Sequence, residues 1–229
     1  MSEPTLARLL QLSSPTLPVG AFSYSQGLES AVEVGLVHDE ASAGSWLATV
    51  LRQGVAAWDA TWVAALMRAW QQHNDDLIVD LNERFLASRE SRESWEETAQ
   101  MGRSLLAALR QRPDMPRQML THLQQLDSEP ALSYPVAWSA AAASSSIAVQ
   151  DALVGYLWAW LENAVMAALK LVPLGQFAGQ RLLARLGAEL DTLALRATSR
   201  PLDHCCNLLP GLTLACMHHE TQYSRLFRS

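Results

Sequence analysis

The sequence has few cysteines, almost no lysine and no excess of positive charge. Its 229 residues include three cysteines (Cys205, Cys206 and Cys216) and one lysine, and the formal net charge is −6. An odd number of cysteines, two of them adjacent, does not fit the paired framework of a small secreted protein. An acidic chain also lacks the basic face that a nucleic-acid-binding protein needs. No basic segment precedes an apolar run at the N-terminus, so we predict no signal peptide and expect a cytoplasmic protein with no membrane span.

The signatures of common active sites are missing as well. The sequence contains no glycine-rich phosphate-binding loop, no dinucleotide-binding glycine pattern and no zinc-binding His-Glu-x-x-His. It has no Gly-x-Ser-x-Gly, and Ala167 stands where a Ser-x-x-Lys motif would need serine three residues before Lys170. The sequence therefore predicts no catalytic residue, no cofactor and no metal site, and we expect that the protein is not an enzyme.

No segment shows the strict alternation of apolar and polar residues that is typical of strands, whereas every long segment has helical periodicity. Hydrophobic residues make up 49% of the chain, enough for a sizeable core. We predict one all-α domain over residues 1–229, a bundle of about ten helices. Within it, an N-terminal arm of residues 1–22 and a tail of residues 211–229 are expected to depend on partners for their structure.

Two stretches lack charge almost completely. Residues 152–161 and 163–169 carry no charged side chain and are apolar on every side, which predicts a helix that is buried all round and ends before Pro173. Residues 130–150 are also uncharged, but they are rich in serine and alanine and contain Pro135. This composition favours a buried helix lined with small residues over a membrane span.

Local signals predict where helices begin and end. Ser2 with Pro4 predicts the first helix start, Asp39 caps a later helix, and Gly35 ends the one before it. Capping-box spacing occurs twice, in Ser23 with Gln26 and in Ser94 with Glu97. Further helices are predicted over residues 76–88, 94–111, 117–126 and 180–190. Arginines and glutamates alternate over residues 89–103, and we predict that they form a solvated, ion-paired face: Arg89, Arg92 and Arg103 with Glu90, Glu93, Glu96 and Glu97.

Two groups of residues leave functional alternatives open. Lys170 lies beside an apolar helix, so it either interacts with the carbonyls at the helix end or has a lowered pKa and acts as a base or nucleophile. A C-terminal cluster could bind zinc or nickel, although its spacing fits no standard metal module. Its members are His204, Cys205, Cys206, Cys216, His218, His219 and Glu220. A metal-binding chaperone is therefore the alternative functional class.

The last residues are unusual for a chain end, which is normally small and polar. Apolar and aromatic side chains alternate there with arginine, in Tyr223, Arg225, Leu226, Phe227 and Arg228. Aromatic residues and arginine are common anchors of protein interfaces. The tail therefore either docks back on its own domain or binds a partner.

Three separated segments resemble the urease accessory proteins of the UreF family. They are SPTLPVGAFSYSQGLE near the N-terminus, LENAVMAALKLVPLGQ in the middle and HETQYSRLFRS at the end, in the order expected for the family. The resemblance spans nearly the whole chain and departs over residues 136–147, which are unusually rich in serine and alanine. In the C-terminal cluster only His219 and Glu220 match the family pattern, whereas the cysteines do not.

The resemblance implies an all-α, dimeric, cytoplasmic protein without enzymatic activity. Such a protein joins UreD (UreH in some organisms) to the GTPase UreG on apo-urease, supports nickel insertion and modulates the GTPase. We expect the two chain ends to face UreD and the corner at residues 170–180 to face UreG. The residues implied in partner binding are Pro18, Gly20, Phe22, Ser23, Tyr24, Glu29, Glu162, Lys170, Gln176, Gln180, Tyr223, Arg225, Phe227 and Arg228.

Overall fold

A computed structural model of the chain describes residues 3–128 and 131–229. The fold is all-α, as predicted, and these two ranges contain no strand. A 3₁₀ turn occurs at Ala21–Ser23 and another at Leu202–His204, and a π-helical segment spans Val50–Val55. The α-helices are α1 (Glu3–Leu12), α2 (Leu28–Glu33), α3 (Glu40–Thr49), α4 (Asp59–Gln71), α5 (Asp75–Ala87), α6 (Arg92–Leu109), α7 (Arg117–Leu126), α8 (Tyr134–Ser144), α9 (Val149–Leu171), α10 (Gln176–Gly187), α11 (Leu190–Ser199) and α12 (Pro210–His219).

Helix α9 is the element against which most others pack. Its neighbours include α1, α2, α3, α4, α10 and α11. It ends at Leu171, two residues before Pro173, as predicted. The expectation of burial on every side was wrong, because Trp158 is 37% exposed and Met166 is 42% exposed. Among the described residues α9 is also the one helix long and apolar enough to cross a membrane, and half of its most apolar stretch is buried inside the protein.

Helix α8 is the buried helix of small residues that the composition predicts, although residue 130, where the uncharged stretch begins, lies outside the described ranges. It packs against both α4 and α6. Its alanines at 137, 140, 141 and 142 are inaccessible to solvent, and so is Trp138. Helix α6 lies close to the segment just before α8 because residue 102 is glycine. A Cβ atom on Gly102 would lie 2.1 Å from the Leu132 carbonyl oxygen.

Several local signals are confirmed. Asp39 caps α3 by accepting a 2.7 Å hydrogen bond from the Ser42 backbone N–H. Gly35 has a φ of 76° just after α2, in the left-handed region that favours glycine at a helix end. Helix α7 has the predicted bounds. Ser2, which was part of the predicted start of α1, lies outside the described residues.

Two capping predictions were wrong because the residues concerned have other partners. Helix α6 begins at Arg92, two residues earlier than predicted, since Ser91 rather than Ser94 caps it, and Glu97 is buried in the protein. Gly27, with a φ of 77°, precedes α2, and no side chain caps that helix. The helix predicted over residues 180–190 is two helices, α10 and α11, which meet near Glu189.

Candidate functional site: the seam between the chain ends

The N-terminal loop and the C-terminal tail lie side by side on the body of the protein. We call the surface where residues 21–29 meet residues 219–229 the seam. The Arg228 N–H donates to the Ser23 carbonyl over 2.8 Å. The Ser229 carbonyl oxygen accepts from the N–H groups of Ser25 at 2.6 Å and Gln26 at 3.1 Å. Backbone hydrogen bonds therefore join segments that are about 200 positions apart in the sequence.

Glu29, at the start of α2, holds the tail through its buried carboxylate. One carboxylate oxygen accepts from the Leu226 N–H over 2.6 Å and the other from the Phe227 N–H over 2.8 Å. Gly27 permits this arrangement because α2 and α12 approach closely there, and a Cβ atom on Gly27 would lie 3.1 Å from that of Ala215. The backbone of the tail is thus bound by a charged group on α2.

His219, the last residue of α12, lies between two carboxylates. Its side chain is 0% exposed. The Nδ1 atom is 2.7 Å from a carboxylate oxygen of Glu93, and the Nε2 atom is 3.2 Å from one of Glu29. Arg225 donates to the other Glu93 oxygen over 2.6 Å. This acid–histidine–acid cluster joins α2, α6, α12 and the tail.

Glu97 binds the far end of the tail. Gln26 donates to one of its carboxylate oxygens over 2.6 Å and the Ser229 hydroxyl donates to the other over 2.9 Å. The Trp160 indole N–H of α9 in turn donates to the side-chain amide oxygen of Gln26. Burial raises the pKa of Glu97 to about 7, since the charged form is poorly solvated there, and the two donated hydrogen bonds only partly oppose that effect. The prediction of a solvated, ion-paired face was therefore wrong about solvation at Arg89, Glu93 and Glu97, whose side chains are largely buried.

Helix α9 brings the middle segment of the resemblance to the same seam. Asn163 donates to the Ala21 carbonyl over 3.0 Å. Seven residues further along α9, the Lys170 ammonium lies 5.4 Å from the centre of the Phe227 ring. The three segments that resemble the family are therefore contiguous in space. The chain ends, expected to face UreD, and the corner at residues 170–180, expected to face UreG, therefore meet at Lys170 and Phe227.

The predicted partner-binding residues fall into three groups in the structure. Tyr24, Glu29 and Phe227 are buried within the chain, so here they hold the seam together. Gly20, Ser23 and Glu162 are partly exposed. The others are exposed: Pro18, Phe22, Lys170, Gln176, Gln180, Tyr223, Arg225 and Arg228.

Sequence reasoning gave Gln26, Glu93 and Glu97 only local roles, although these residues connect the seam. The capping-box spacing of Gln26 and the charge alternation around Glu93 and Glu97 have ordinary local explanations. Neither pattern indicates burial, because the partners that bury these groups lie on α12, on the tail and on α9.

A cavity of about 160 Å³ lies beneath the seam. Its lining includes Glu97, Cys216 and the ion pair of Asp59 and Arg89, whose closest charged atoms are 3.4 Å apart. Burial raises the pKa of Asp59 although Arg89 opposes this, and burial raises the pKa of the Cys216 thiol to about 12. The thiolate is the form that binds a metal ion, and burial disfavours that form of Cys216.

The C-terminal Cys/His cluster is not assembled into a metal site. In the part of the chain that the structure describes, no group of three or more His, Cys, Asp or Glu side chains is placed to hold a metal ion. Cys205 directs its sulfur at the Pro201 carbonyl oxygen, and His219 is held by the two glutamates. The structure therefore gives no support to a metal-binding function of this cluster within one chain.

The sequence model of the UreF family matches residues 37–187. A protein of Dechloromonas aromatica (strain RCB) described as "Urease accessory protein UreF" is 52% identical over 224 residues, covering 98% of this chain and 97% of that protein. Proteins with the same description are 53% identical over 227 residues in Azoarcus sp. (strain BH72) and 44% identical over 231 residues in Janthinobacterium sp. (strain Marseille). They cover 98% and 100% of this chain, and the chain covers 95% and 100% of them. A family match over most of the chain, with relatives aligned along nearly its whole length and an all-α fold, shows that the chain belongs to the UreF family.

Proposed function

We propose that this protein is a non-enzymatic scaffold in urease maturation. It acts in the cytoplasm as a homodimer, joins UreD (UreH) and the GTPase UreG on apo-urease, and so supports nickel insertion and modulates the GTPase. The observation that carries the proposal is the seam. It brings the three family-like segments into one surface that displays apolar and charged side chains and, among the residues described, no assembled metal site.

The tail side of the seam is the surface that we assign to UreD. Tyr223 is fully exposed and Leu226 is 66% exposed. The segment that carries them is nevertheless fixed on the body, because Glu29 binds the Leu226 N–H and Glu93 binds the Arg225 side chain. Exposed aromatic and apolar side chains on a fixed backbone bind a partner without a large loss of conformational entropy.

The corner between α9 and α10 is the surface that we assign to UreG. Phe177 is 82% exposed there, next to the exposed side chains of Gln176 and Gln180, and Lys170 supplies a positive charge nearby. An exposed aromatic ring beside amides and one cation fits a polar interface that bears a complementary acidic group.

A pair of matched variants tests the two assignments. Tyr223→Ala and Phe177→Ala each remove one exposed ring, so both leave the fold intact. We expect Tyr223→Ala to weaken the capture of UreD about tenfold or more, with UreG recruitment to the assembled complex unchanged for equal UreD loading. Phe177→Ala should do the reverse. Pull-down of purified partners measures both, and equal losses for both variants would contradict the division of the surface.

Charge reversal at Lys170 tests the UreG surface by another route. Lys170→Glu replaces the cation by a carboxylate, so we expect weaker UreG recruitment and a smaller dependence of that recruitment on salt. Gln180→Glu adds the same charge to the same surface without removing the cation and is the matched comparison. Normal UreG recruitment by a folded Lys170→Glu protein would show that Lys170 does not contact UreG.

A further inference from the structure

A second cleft, of about 300 Å³, lies between the end of the π-helical segment and the face of α11 that begins at the α10–α11 junction. π-helical segments occur frequently at functional sites. The residues that line this cleft are not part of the seam. Helix α10 separates it from the corner at residues 170–180, because Gln180 and Ala188 are eight positions apart, about 12 Å along the helix axis. The proposed function therefore assigns no partner to this surface.

The cleft carries an excess of positive charge in a protein that is acidic as a whole. Its lining contains the side chains of Arg52, Arg196 and Arg200 and one carboxylate, that of Glu189. The formal net charge of the whole chain is −6. Arg196 and Arg200 are four positions apart at the end of α11, so they lie on the same side of it. We call this surface the arginine cleft.

Glu189 neutralises only one of these arginines. The Arg52 Nε–H donates to one of its carboxylate oxygens over 2.7 Å, and a terminal N–H of the same guanidinium donates to the other over 2.6 Å. The hydrogen bonds from Arg52 hold the pKa of Glu189 below its usual value, so this carboxylate stays ionised and paired. The guanidinium groups of Arg196 and Arg200 therefore have no carboxylate partner inside the cleft.

The two remaining guanidinium groups keep donors for a ligand. Arg200 donates one N–H to the Ala57 carbonyl over 2.8 Å, which fixes its position and leaves four of its five N–H groups. The Arg196 guanidinium is exposed and makes no hydrogen bond or ion pair with residues 3–128 or 131–229.

Arginine near the end of a helix commonly interacts with the last carbonyl groups of that helix. At the end of α11 this role is filled from another helix, because Arg68 of α4 donates to the Thr198 carbonyl. The position of Arg196 and Arg200 is therefore not explained by the stability of α11.

The lining of the cleft favours one kind of anion. Guanidinium groups bind carboxylates through paired N–H donors, and fixed groups do so with a small loss of conformational entropy. None of the described residues that line the cleft is aromatic, so a nucleotide base would have no ring on which to stack. Small side chains at residues 56, 57 and 188 leave room for the backbone of a second chain.

We infer that the arginine cleft binds an acidic segment of a partner protein, whose carboxylates pair with Arg196 and Arg200. The inference does not depend on the assignment of UreD and UreG to the tail and to the corner at residues 170–180.

Binding of a short oligoglutamate peptide to the isolated full-length protein tests the inference. Fluorescence anisotropy of the labelled peptide measures the dissociation constant, which should rise with salt concentration. We expect Arg196→Gln to weaken binding about tenfold, as for loss of one charge-assisted contact. Arg117→Gln removes the same charge from an exposed site on α7 and should bind the peptide like the unchanged protein. Urea denaturation should show that both variants are folded.

A second pair of variants tests the cleft without removing an arginine. Thr192 is exposed and lines the cleft. Thr192→Glu places a carboxylate beside the two guanidinium groups, so it should compete with the peptide and weaken binding about tenfold. Thr192→Gln adds a side chain of the same size without charge and should bind nearly normally.

Three results would overturn the inference. The first is equal binding by Arg196→Gln and Arg117→Gln, and the second is equal binding by Thr192→Glu and Thr192→Gln. The third is displacement of the peptide by inorganic phosphate at constant ionic strength with the same dependence on Arg196, which would assign the cleft to a small free anion.

Capture of UreD and UreG separates this inference from the proposed function. An unchanged protein that captures both partners but binds no oligoglutamate would refute the inference and leave the proposed function standing. Peptide binding that depends on Arg196, without capture of either partner, would support the inference and refute the proposed function.

Discussion

Two regions of this protein are equally inaccessible to water but are held together by different forces. Where α8 meets α4 and α6, small residues and the rings of Trp138 and Trp70 make mainly apolar contacts, and the backbones approach closely. In the seam, the buried groups include Glu29, Glu97 and His219 beside Tyr24 and Phe227, so hydrogen bonds and charge are added to apolar contact. Packing of the first kind is non-directional and cooperative, whereas each buried charge in the seam depends on particular partners.

The comparison predicts that damage to the α8 region unfolds the protein, whereas damage to the seam releases its ends. Variants of Trp138, Glu29 and Glu97 distinguish these two kinds of loss. Each is compared with an exposed site or with a second pH, so that local and global losses can be told apart.

Trp138→Ala should have the largest effect. The side chain is fully buried and packs against the rings of Tyr134 and Tyr156, so its removal leaves a large cavity. We expect the free energy of unfolding to fall by about 3–5 kcal/mol, measured by urea denaturation. Phe177→Ala, at an exposed ring, should change it by less than about 0.5 kcal/mol. A similar loss for both variants would mean that α8 is not part of the cooperative core.

Glu29→Ala should have an intermediate and more local effect. It leaves the Leu226 and Phe227 N–H groups and one nitrogen of His219 without an acceptor. We expect a loss of about 2–3 kcal/mol from the docked tail, seen as rapid proteolysis after Arg225 or Arg228, with the helical circular dichroism signal nearly unchanged. Glu33→Ala, further along the same helix, provides the control. Complete unfolding by Glu29→Ala would show that the seam and the core form one cooperative unit.

Glu97→Gln should have the smallest effect, and it should depend on pH. The pKa of this carboxyl rises from 4.5 to about 7 on folding, so the folded protein keeps a proton that the unfolded chain releases between those values. The stability contributed by that proton is complete below about pH 4.5 and is lost as the pH rises towards 7. The glutamine variant should therefore be more stable than the unchanged protein at pH 8, by about 1–2 kcal/mol, and nearly equal to it at pH 4.5. Urea denaturation at the two pH values measures the difference in the free energy of unfolding. A glutamine variant that is less stable than the unchanged protein at pH 8 would contradict the prediction.

The elements that could be predicted are those whose causes are local. Asp39 caps α3 through a residue three positions away, and Pro173 ends α9 through its own ring. The stretch that forms α8 is uncharged and rich in small residues, which favours a position in the interior of the protein. In each case the sequence pattern and the physical cause lie within a few residues of each other.

The errors occurred where a distant partner overrides the local pattern. Glu97 has the spacing of a capping residue and the charge pattern of a solvated helix face, yet it is buried because Gln26 and Ser229 bind it. Gln26 likewise serves Glu97 and Trp160 instead of a helix end. Resemblance to the family indicated which segments matter, but it did not indicate that they touch one another.

The residue pattern alone was sufficient to predict that this protein is built of helices and that α8 lies inside, and sequence similarity places the chain in the UreF family. The folded structure was needed to show that the two chain ends and the middle of α9 form one seam, and that His219 lies between two glutamates. Helical periodicity is a local property, which each segment carries in its own residues. A buried charge is stable only beside its partners, and here those partners are separated by up to about 200 positions of chain.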